Sequence, residues 1–255
     1  ALAREGVEIR SGVKVEAVER RANGISVRLG SESREEALDA SHLFLATGRH
    51  ANVADLGLDE AGIEHDRRGV KVDRGLRTTN KRVYAVGDVA GGPQFTHVAN
   101  YHAGLVIRSI LFRLPVRADH DSIPWVTYTD PELAQVGLDE QRARERHGSI
   151  RVLRWPYAEN DRAHAERELE GFVKLIATPR GRILGATIVG SQAGEMANLW
   201  SLALARKLDL RALTGFISPY PTLSEIGKRA AVSSFTARLT SPLVQRTLRL
   251  LRFFG

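Results

Sequence analysis

The sequence predicts an α/β segment followed by an α+β domain with an antiparallel sheet and helices. Two apolar runs, residues 43–46 and 84–86, each end in a glycine and a charged residue, as buried strands of an α/β sheet commonly do. Further along, two apolar runs flank a Pro-Arg-Gly-Arg turn at residues 179–182, which indicates an antiparallel hairpin. Helical patterns follow this hairpin instead of alternating with strands, so we assign the second part to the α+β class.

The first 47 residues predict one helical turn and then strands. Residues 1–6 are typical of the last turn of a helix that Gly6 caps, so we expect the chain to be part of a longer one. Alternation of apolar and polar residues predicts half-exposed strands, and Asn23-Gly24 is a hairpin signal. These strands cover residues 7–9, 13–18 and 25–29. The continuous apolar run 43–46 predicts a strand that is covered on both faces.

The second apolar run ends at Gly87-Asp88 and precedes a helix predicted over residues 97–114. Open α/β folds bind ligands at the carboxyl ends of their strands, so the two strand ends predict a nucleotide cofactor lying across them. Glycine lets the backbone approach such a ligand closely. The Asp88 carboxylate can accept hydrogen bonds from sugar-type hydroxyls.

The sequence pattern changes near residues 116–121, where we place a domain boundary. A strand is predicted over 123–129, and a short helix over 139–147 begins at the cap Asp139 and ends at Gly148. The hairpin strands cover 172–176 and 183–189, and two helices cover 195–208 and 222–232.

Composition excludes several classes of site. The 255 residues include no cysteine, so disulfides, thiolate metal sites and cysteine nucleophiles are absent from this segment, and we expect a cytoplasmic protein with no metal site. No window approaches the apolar length of a membrane span. The net charge of +7 is spread among acidic residues before the C-terminal tail, so nucleic-acid binding ranks far below the other functions.

A set of motifs then occurs in a characteristic order along the chain. They are Ala46–Arg49, Tyr84–Asp88, Tyr128–Gly137, Gly171–Leu175, Leu184–Gly190 and Tyr220–Glu225. Together they resemble the flavin-dependent pyridine nucleotide–disulfide oxidoreductases, the family of lipoamide dehydrogenase, glutathione reductase and mercuric reductase. The resemblance covers the chain to about residue 235.

The resemblance implies a division into four parts. Residues 1–47 would end an NAD(P)-binding domain, 48–118 would return to an FAD-binding domain, 119–235 would form a homodimer, and 236–255 would be a basic tail. The fold class is then an α/β remnant, made of parts of the NAD(P)- and FAD-binding domains, plus an α+β dimerisation domain. In the full-length protein Gly87 and Asp88 would bind FAD, Thr96 would approach the flavin through its backbone, and Gly48 would lie near NAD(P)H.

Parts of the family pattern are missing. The sequence contains no Gly-x-Gly-x-x-Gly turn and no redox cysteine pair. Such turns place a pyrophosphate on a helix N-terminus, so we expect this chain alone to be inactive and to retain no FAD. Two interpretations stay open: part of an oxidoreductase that reduces a thiol/disulfide or a metal ion, and a homodimerisation module without chemistry of its own.

Tyr220 departs from the thiol-reducing members of the family. There the resemblance implies a histidine that acts as an acid–base catalyst across the dimer, oriented by a glutamate that corresponds to Glu225. A phenol titrates near ~10 and an imidazole near ~6.5, so Tyr220 cannot exchange protons as easily near neutral pH. Mercuric reductase also carries Pro-Tyr here, although its C-terminal cysteine pair is absent from this chain. Tyr220 is either catalytic, together with Glu225, or a packing residue at the dimer interface.

The last residues predict a basic amphipathic helix that Ser241-Pro242 begins. Arginines lie on one side of it, and apolar residues cover much of the other. The arginines are Arg246, Arg249 and Arg252, and the apolar residues are Leu243, Val244, Leu248, Leu250, Leu251 and Phe254. Such a helix can lie on an anionic membrane surface, or it can pack on the protein body or on a partner subunit.

Overall fold

The computed structural model describes residues 1–31, 34–239 and 242–252. These residues form ten β-strands and seven α-helices, and the five-stranded sheet is antiparallel throughout. The predicted fold class, a mixture of α and β with an antiparallel sheet and helices, is confirmed. The described chain divides into two units, residues 1–50 and 51–255.

The first unit contains a three-stranded antiparallel sheet in the order β1-β2-β3. Its strands are β1 (Lys14–Arg21), β2 (Gly24–Ser31) and β3 (Arg34–Ala40). Arg21 pairs with Gly24, so the connection between β1 and β2 is the two residues Ala22 and Asn23. The predicted hairpin is therefore present, with its turn one residue earlier than the Asn23-Gly24 signal suggested.

Two predicted strands of the first unit, 7–9 and 43–46, are not strands in the structure. Phe44 is 90% exposed and Leu45 is 71% exposed, so the run 43–46 is not covered on both faces. A buried strand requires partners for its backbone groups and cover for both faces. The sheet of this unit ends at β3, and no described strand pairs with residues 43–46.

The second unit begins with a short hairpin, β4 (His65–Asp66) and β5 (Gly69–Val70). A 3-10 helix (Gly87–Ala90) and the helix α1 (Thr96–Phe112) follow. The predicted helix over 97–114 is confirmed. The strand predicted over 84–86 is wrong, because Tyr84 forms only one isolated bridge, to Arg77, while Ala85 is buried in a small apolar cluster.

The larger sheet has five strands in the order β6-β7-β10-β9-β8. The strands are β6 (Trp125–Thr127), β7 (Glu132–Gly137), β8 (Arg151–Pro156), β9 (Phe172–Ala177) and β10 (Ile183–Gly190). β9 and β10 form the predicted hairpin, in which Ile183 pairs with Ala177. β7 and β8, which were not predicted as strands, pair with the two sides of that hairpin.

Six helices follow or interrupt this sheet. They are α2 (Glu140–His147), α3 (Asp161–Glu166), α4 (Ala193–Ala205), α5 (Leu210–Gly215), α6 (Glu225–Leu239) and α7 (Pro242–Leu251). Asp139 caps α2 by accepting from the Arg142 N–H, and Gly148 ends it, as predicted. Within the described residues, no helix is both long enough and apolar enough to cross a membrane.

The main core lies between one face of this sheet and the helices α4 and α6. Trp200 of α4 is 1% exposed and packs in the same cluster as Ile226 of α6 and Ile188 of β10. A second cluster forms on the opposite face, where Ala143 of α2 meets Ile176 and Leu184.

Candidate functional site

Gly87 is the first residue of the 3-10 helix, and it packs against Ala99 of α1. Its backbone has φ +69°, and a Cβ at this position would lie 2.9 Å from the Ala99 Cβ, so no larger residue fits without a shift. The Gly87 N–H donates to Nδ1 of His102 at 3.1 Å. The structure therefore brings Gly87, Asp88 and Thr96 into one packed substructure, because Ala99, His102 and Thr96 all belong to α1.

His102 is completely buried and bonds at both ring nitrogens. Since Nδ1 accepts from Gly87, Nε2 carries the ring proton and donates to Nε2 of His120 at 2.9 Å. Burial, and secondly the charge of His120, lower the pKa of His102. His120 also lines a cavity of about 630 Å³ with Arg68 and Arg74. This histidine pair was not predicted, because only the fold brings residues 102 and 120 together.

Asp88 and Thr96 both lie at the surface of this substructure. Phe95, the residue before α1, cannot cap the helix with its side chain, so no side chain caps the first N–H groups of α1. An exposed carboxylate and uncapped helix donors suit the hydroxyls and polar ring atoms of a flavin nucleotide. The residues present thus fit part of an FAD site. Gly48 belongs to the first unit, with φ +101° and open space where a Cβ would be.

Tyr220 lies on the segment between α5 and α6. Its side chain is 68% exposed, and its hydroxyl donates to Oδ2 of Asp161 at 2.8 Å. The peptide bond to Pro221 is cis. The hydrogen-bond partner of Tyr220 is therefore an aspartate on α3, a pairing that the sequence did not predict.

The neighbouring residue Asn160 ties the same two segments together from inside. Asn160 is 1% exposed; its Oδ1 accepts from the Ala163 N–H at 2.9 Å and its Nδ2 donates to the Thr222 carbonyl at 3.1 Å. Because Asn160 caps α3 and holds Thr222, the positions of Asp161 and Tyr220 are coupled. The sequence signal that could have found the cap of α3 is Asn160, directly before the first helical residue Asp161.

Glu225 is the first residue of α6 and is half-buried. Its backbone N–H donates to the Thr222 carbonyl at 3.4 Å. The structure thus places Tyr220 and Glu225 at the two ends of one short segment, while the tyrosine hydroxyl bonds to Asp161.

The carboxylates around Tyr220 determine its protonation. The hydrogen bond and then the charge of Asp161 raise the pKa of Tyr220, and burial and the charge of Glu225 act in the same direction. Arg229 acts in the opposite direction. The phenol therefore keeps its proton near neutral pH. Because the Tyr220 hydroxyl donates its proton in the hydrogen bond to Asp161, the lone pairs of its exposed oxygen are available to accept from a ligand.

Metal ligands do not cluster in the part of the chain that the structure describes: no three His, Asp or Glu side chains there come close enough to hold an ion. A cavity of about 360 Å³ borders the segment 221–224, lined also by Arg162, Glu166, Gln192 and Glu195. Its charged lining makes it a polar cleft beside the Tyr220 segment.

Two family models match the chain, both from one family. The model described as pyridine nucleotide-disulphide oxidoreductase matches residues 1–103, and that of its dimerisation domain matches residues 123–231. Members of this family use FAD and NAD(P)H.

Curated relatives and solved structures agree with these matches. Dihydrolipoyl dehydrogenase of Bacillus subtilis is 36% identical over 227 residues, which cover 88% of this chain and 48% of the relative. Mercuric reductase of Staphylococcus aureus is 33% identical over 235 residues, covering 91% of this chain and 43% of the relative. The HOCl-induced flavoprotein disulfide reductase RclA of Escherichia coli is 30% identical with a TM-score of 0.79, covering 91% of this chain and 53% of that one.

LpdA of Mycobacterium tuberculosis shares the fold, with a TM-score of 0.84 at 24% identity, over 94% of this chain and 51% of that one. The chain spans about half the length of the curated relatives it matches. Sequence motifs, fold and family models agree over both units, and the chain belongs to the pyridine nucleotide-disulphide oxidoreductase family.

Proposed function

We propose that this chain is the C-terminal part of an FAD- and NAD(P)H-dependent oxidoreductase of the disulfide reductase type. The observation that carries the proposal is the order of the two family models along one chain, the general model first and the dimerisation domain second. Bound FAD would supply two-electron transfer between NAD(P)H and a thiol/disulfide or metal-ion acceptor.

The FAD contacts assigned here are Gly87, Asp88 and Thr96. Support comes from the left-handed backbone of Gly87, the exposure of Asp88 and the uncapped first turn of α1. Gly48 is assigned to the nicotinamide nucleotide, supported by its positive φ and the open space around it. In this proposal His102 holds the Gly87 turn against α1, and this fixes the backbone position of the neighbouring Asp88.

Tyr220 and Glu225 are assigned to the acceptor side. The hydroxyl of Tyr220 faces solvent and is kept protonated by Asp161, so it would bind an acceptor through its lone pairs. Such a group favours a ligand that donates a hydrogen bond or carries positive charge, and the Glu225 carboxylate adds negative charge nearby. Tyr220 would not replace the acid–base histidine of thiol-reducing members.

An alternative function is that of a non-catalytic homodimerisation module. It is favoured by the match of residues 123–231 to a dimerisation domain and by the absence of both a Gly-rich nucleotide turn and cysteine from the sequence. In both proposals the chain divides into residues 1–47, 48–118, 119–235 and the tail 236–255. Residues 119–235 form the homodimer. We place the protein in the cytoplasm.

The coding sequence upstream of Ala1 tests the proposal. We expect it to encode a Gly-x-Gly-x-x-Gly turn and a cysteine pair, and the longer product to oxidise NADH or NADPH in the presence of an acceptor. The present chain, purified and desalted, should retain no flavin absorbance. An upstream region without these motifs, together with a product that oxidises neither nucleotide, would leave the homodimerisation module as the function.

A further inference from the structure

The C-terminal helix α7 carries a basic face and an apolar face that the protein leaves exposed. Arg246 and Arg249 of α7, and Arg252 directly after its last residue, recur every three residues along one side, and all three are exposed. On the other side Leu248 is 42% exposed and Leu251 is 58% exposed. The main packing partner of α7 among the described elements is α6. Packing on the body therefore leaves much of the apolar face in solvent.

Positive charge is concentrated at this end of the chain. From residue 226 to residue 255 the sequence contains one lysine and five arginines and no aspartate or glutamate. The whole chain carries +7, so the preceding residues are almost balanced in charge. A patch of one sign beside an apolar surface complements a surface that is anionic and apolar, which an acidic lipid bilayer provides.

The location of α7 separates it from the dimerisation domain. The family model of that domain ends at residue 231, whereas α7 begins at Pro242. The apolar face of α7 is thus an addition to the matched domain and not part of its sheet or of the core formed by α4 and α6.

We propose that α7 binds the surface of anionic membranes, with its leucines at the acyl boundary and its arginines at the phosphate headgroups. This goes beyond the oxidoreductase function and does not depend on it. One such helix gives weak and reversible binding, and the two copies of a homodimer would strengthen it without new contacts. The helix would lie in the interface and would not span the bilayer.

Sedimentation with vesicles tests this proposal on the intact 255-residue chain. We expect retention by phosphatidylglycerol–phosphatidylcholine vesicles in low salt and little retention by phosphatidylcholine alone. Salt at about 1 M should release much of the bound protein, because the screening length falls to about 3 Å. Each arginine near an anionic surface contributes roughly a fivefold gain in partitioning, so R246Q/R249Q/R252Q should bind on the order of a hundredfold less.

Two further variants separate the contribution of the helix from that of net charge. R180Q/R206Q/R211Q removes the same charge from exposed arginines outside α7 and should bind like the parent. L248Q/L251Q keeps the charge and should bind weakly, because the apolar contact is lost. Circular dichroism should show that all three variants fold.

Three outcomes would overturn the proposal. The first is a parent chain that anionic vesicles do not retain. The second is an equal loss in both arginine variants, which would show that net charge alone acts. The third is a change of oligomeric state in the α7 variants, measured by light scattering, with unchanged vesicle binding, which would assign the apolar face to a second copy of the chain.

Discussion

The hydroxyl of Tyr220 donates to Asp161, and the ring of His102 accepts from Gly87, so each hydrogen bond fixes where a proton resides. The two residues have opposite surroundings. Tyr220 is exposed beside carboxylates, which favour its neutral phenol. His102 is buried beside another histidine, which favours its neutral imidazole. Both side chains therefore remain uncharged near neutral pH, for different physical reasons.

Replacing Asp161 by Asn should lower the pKa of Tyr220 toward its ordinary value, because the carboxylate that opposes the phenolate is removed. Spectrophotometric titration of tyrosinate measures this change, and subtraction of the Y220F curve isolates Tyr220 from the other tyrosines. If Asp161 had only a packing role, D161N would change the stability of the protein but not the pKa of Tyr220. An unchanged difference curve in D161N would contradict the role of Asp161 as the positioning residue of Tyr220.

His102 should make the free energy of unfolding depend on pH below about 6.5. Its pKa is lower in the folded state than the unfolded value of 6.5, so the unfolded chain binds the proton more readily between the two values. Stability is then fully present above about 6.5 and decreases as pH falls toward the lowered pKa, by at most about 1.4 kcal/mol per pH unit.

H102N keeps an acceptor for the Gly87 N–H but does not titrate in this range. Denaturant unfolding of both proteins between pH 7.5 and 5 should therefore show a shallower pH dependence for H102N. Equal slopes in the two proteins would rule out His102 as the titrating group.

At the scale of elements, a glycine of α6 packs against a tryptophan ring of α4. Trp200 of α4 is buried against Gly227 of α6, where an added Cβ would lie 2.4 Å from the Trp200 ring. Gly104 lies in the interior of α1, and a Cβ added to it would enter open space. Both glycines lie in helices, so replacing either by alanine gains the same kind of helix propensity. Only the replacement of Gly227 also adds a steric clash, so comparing the two variants separates packing from propensity.

Gly227→Ala should destabilise the protein by about 1–3 kcal/mol, because overpacking exceeds the gain in helix propensity. Gly104→Ala serves as the matched control and should stabilise it by up to about 1 kcal/mol. Urea unfolding curves of the two variants measure the difference. The close contact of the Trp200 ring with Gly227 would be contradicted if Gly227→Ala were as stable as Gly104→Ala.

At the scale of the whole molecule, the segment that carries Tyr220 also exposes Ile217. This side chain is 93% exposed, within the part of the chain that matches the dimerisation domain. A large apolar side chain in this position is expected at a subunit contact. The proposed acceptor side and the proposed homodimer contact thus share one surface segment.

Ile217→Asp should shift the proposed dimer toward monomer. Burial of an isoleucine contributes about 1.5–3 kcal/mol, and a two-fold interface counts each residue twice. Light scattering over a range of protein concentrations measures the change, with Leu56→Asp, at an exposed leucine outside the matched domain, as control. If Ile217→Asp stays as dimeric as the Leu56→Asp control, then Ile217 lies outside the interface.

The sequence alone determined the mixed α and β class, the β9–β10 hairpin, α1, α2 and the family. These features depend on local signals, such as the Asp139 cap, the turn at residues 179–182 and the motif order, which do not require distant parts of the chain. The strands predicted at 43–46 and 84–86 are wrong. A buried strand needs partners along its edges and cover on its faces, and an apolar run in the sequence does not show whether the fold supplies them.

Only the tertiary structure decided which side chains meet. Asp161 and Tyr220 lie 59 residues apart and His102 and His120 lie 18 apart, and no local pattern joins either pair. The buried Asn160, which caps α3, donates to the Thr222 carbonyl and so holds α3 beside the segment before α6. The sequence could name Tyr220 and Gly87, but the proton positions that define their chemistry depend on partners that folding supplies.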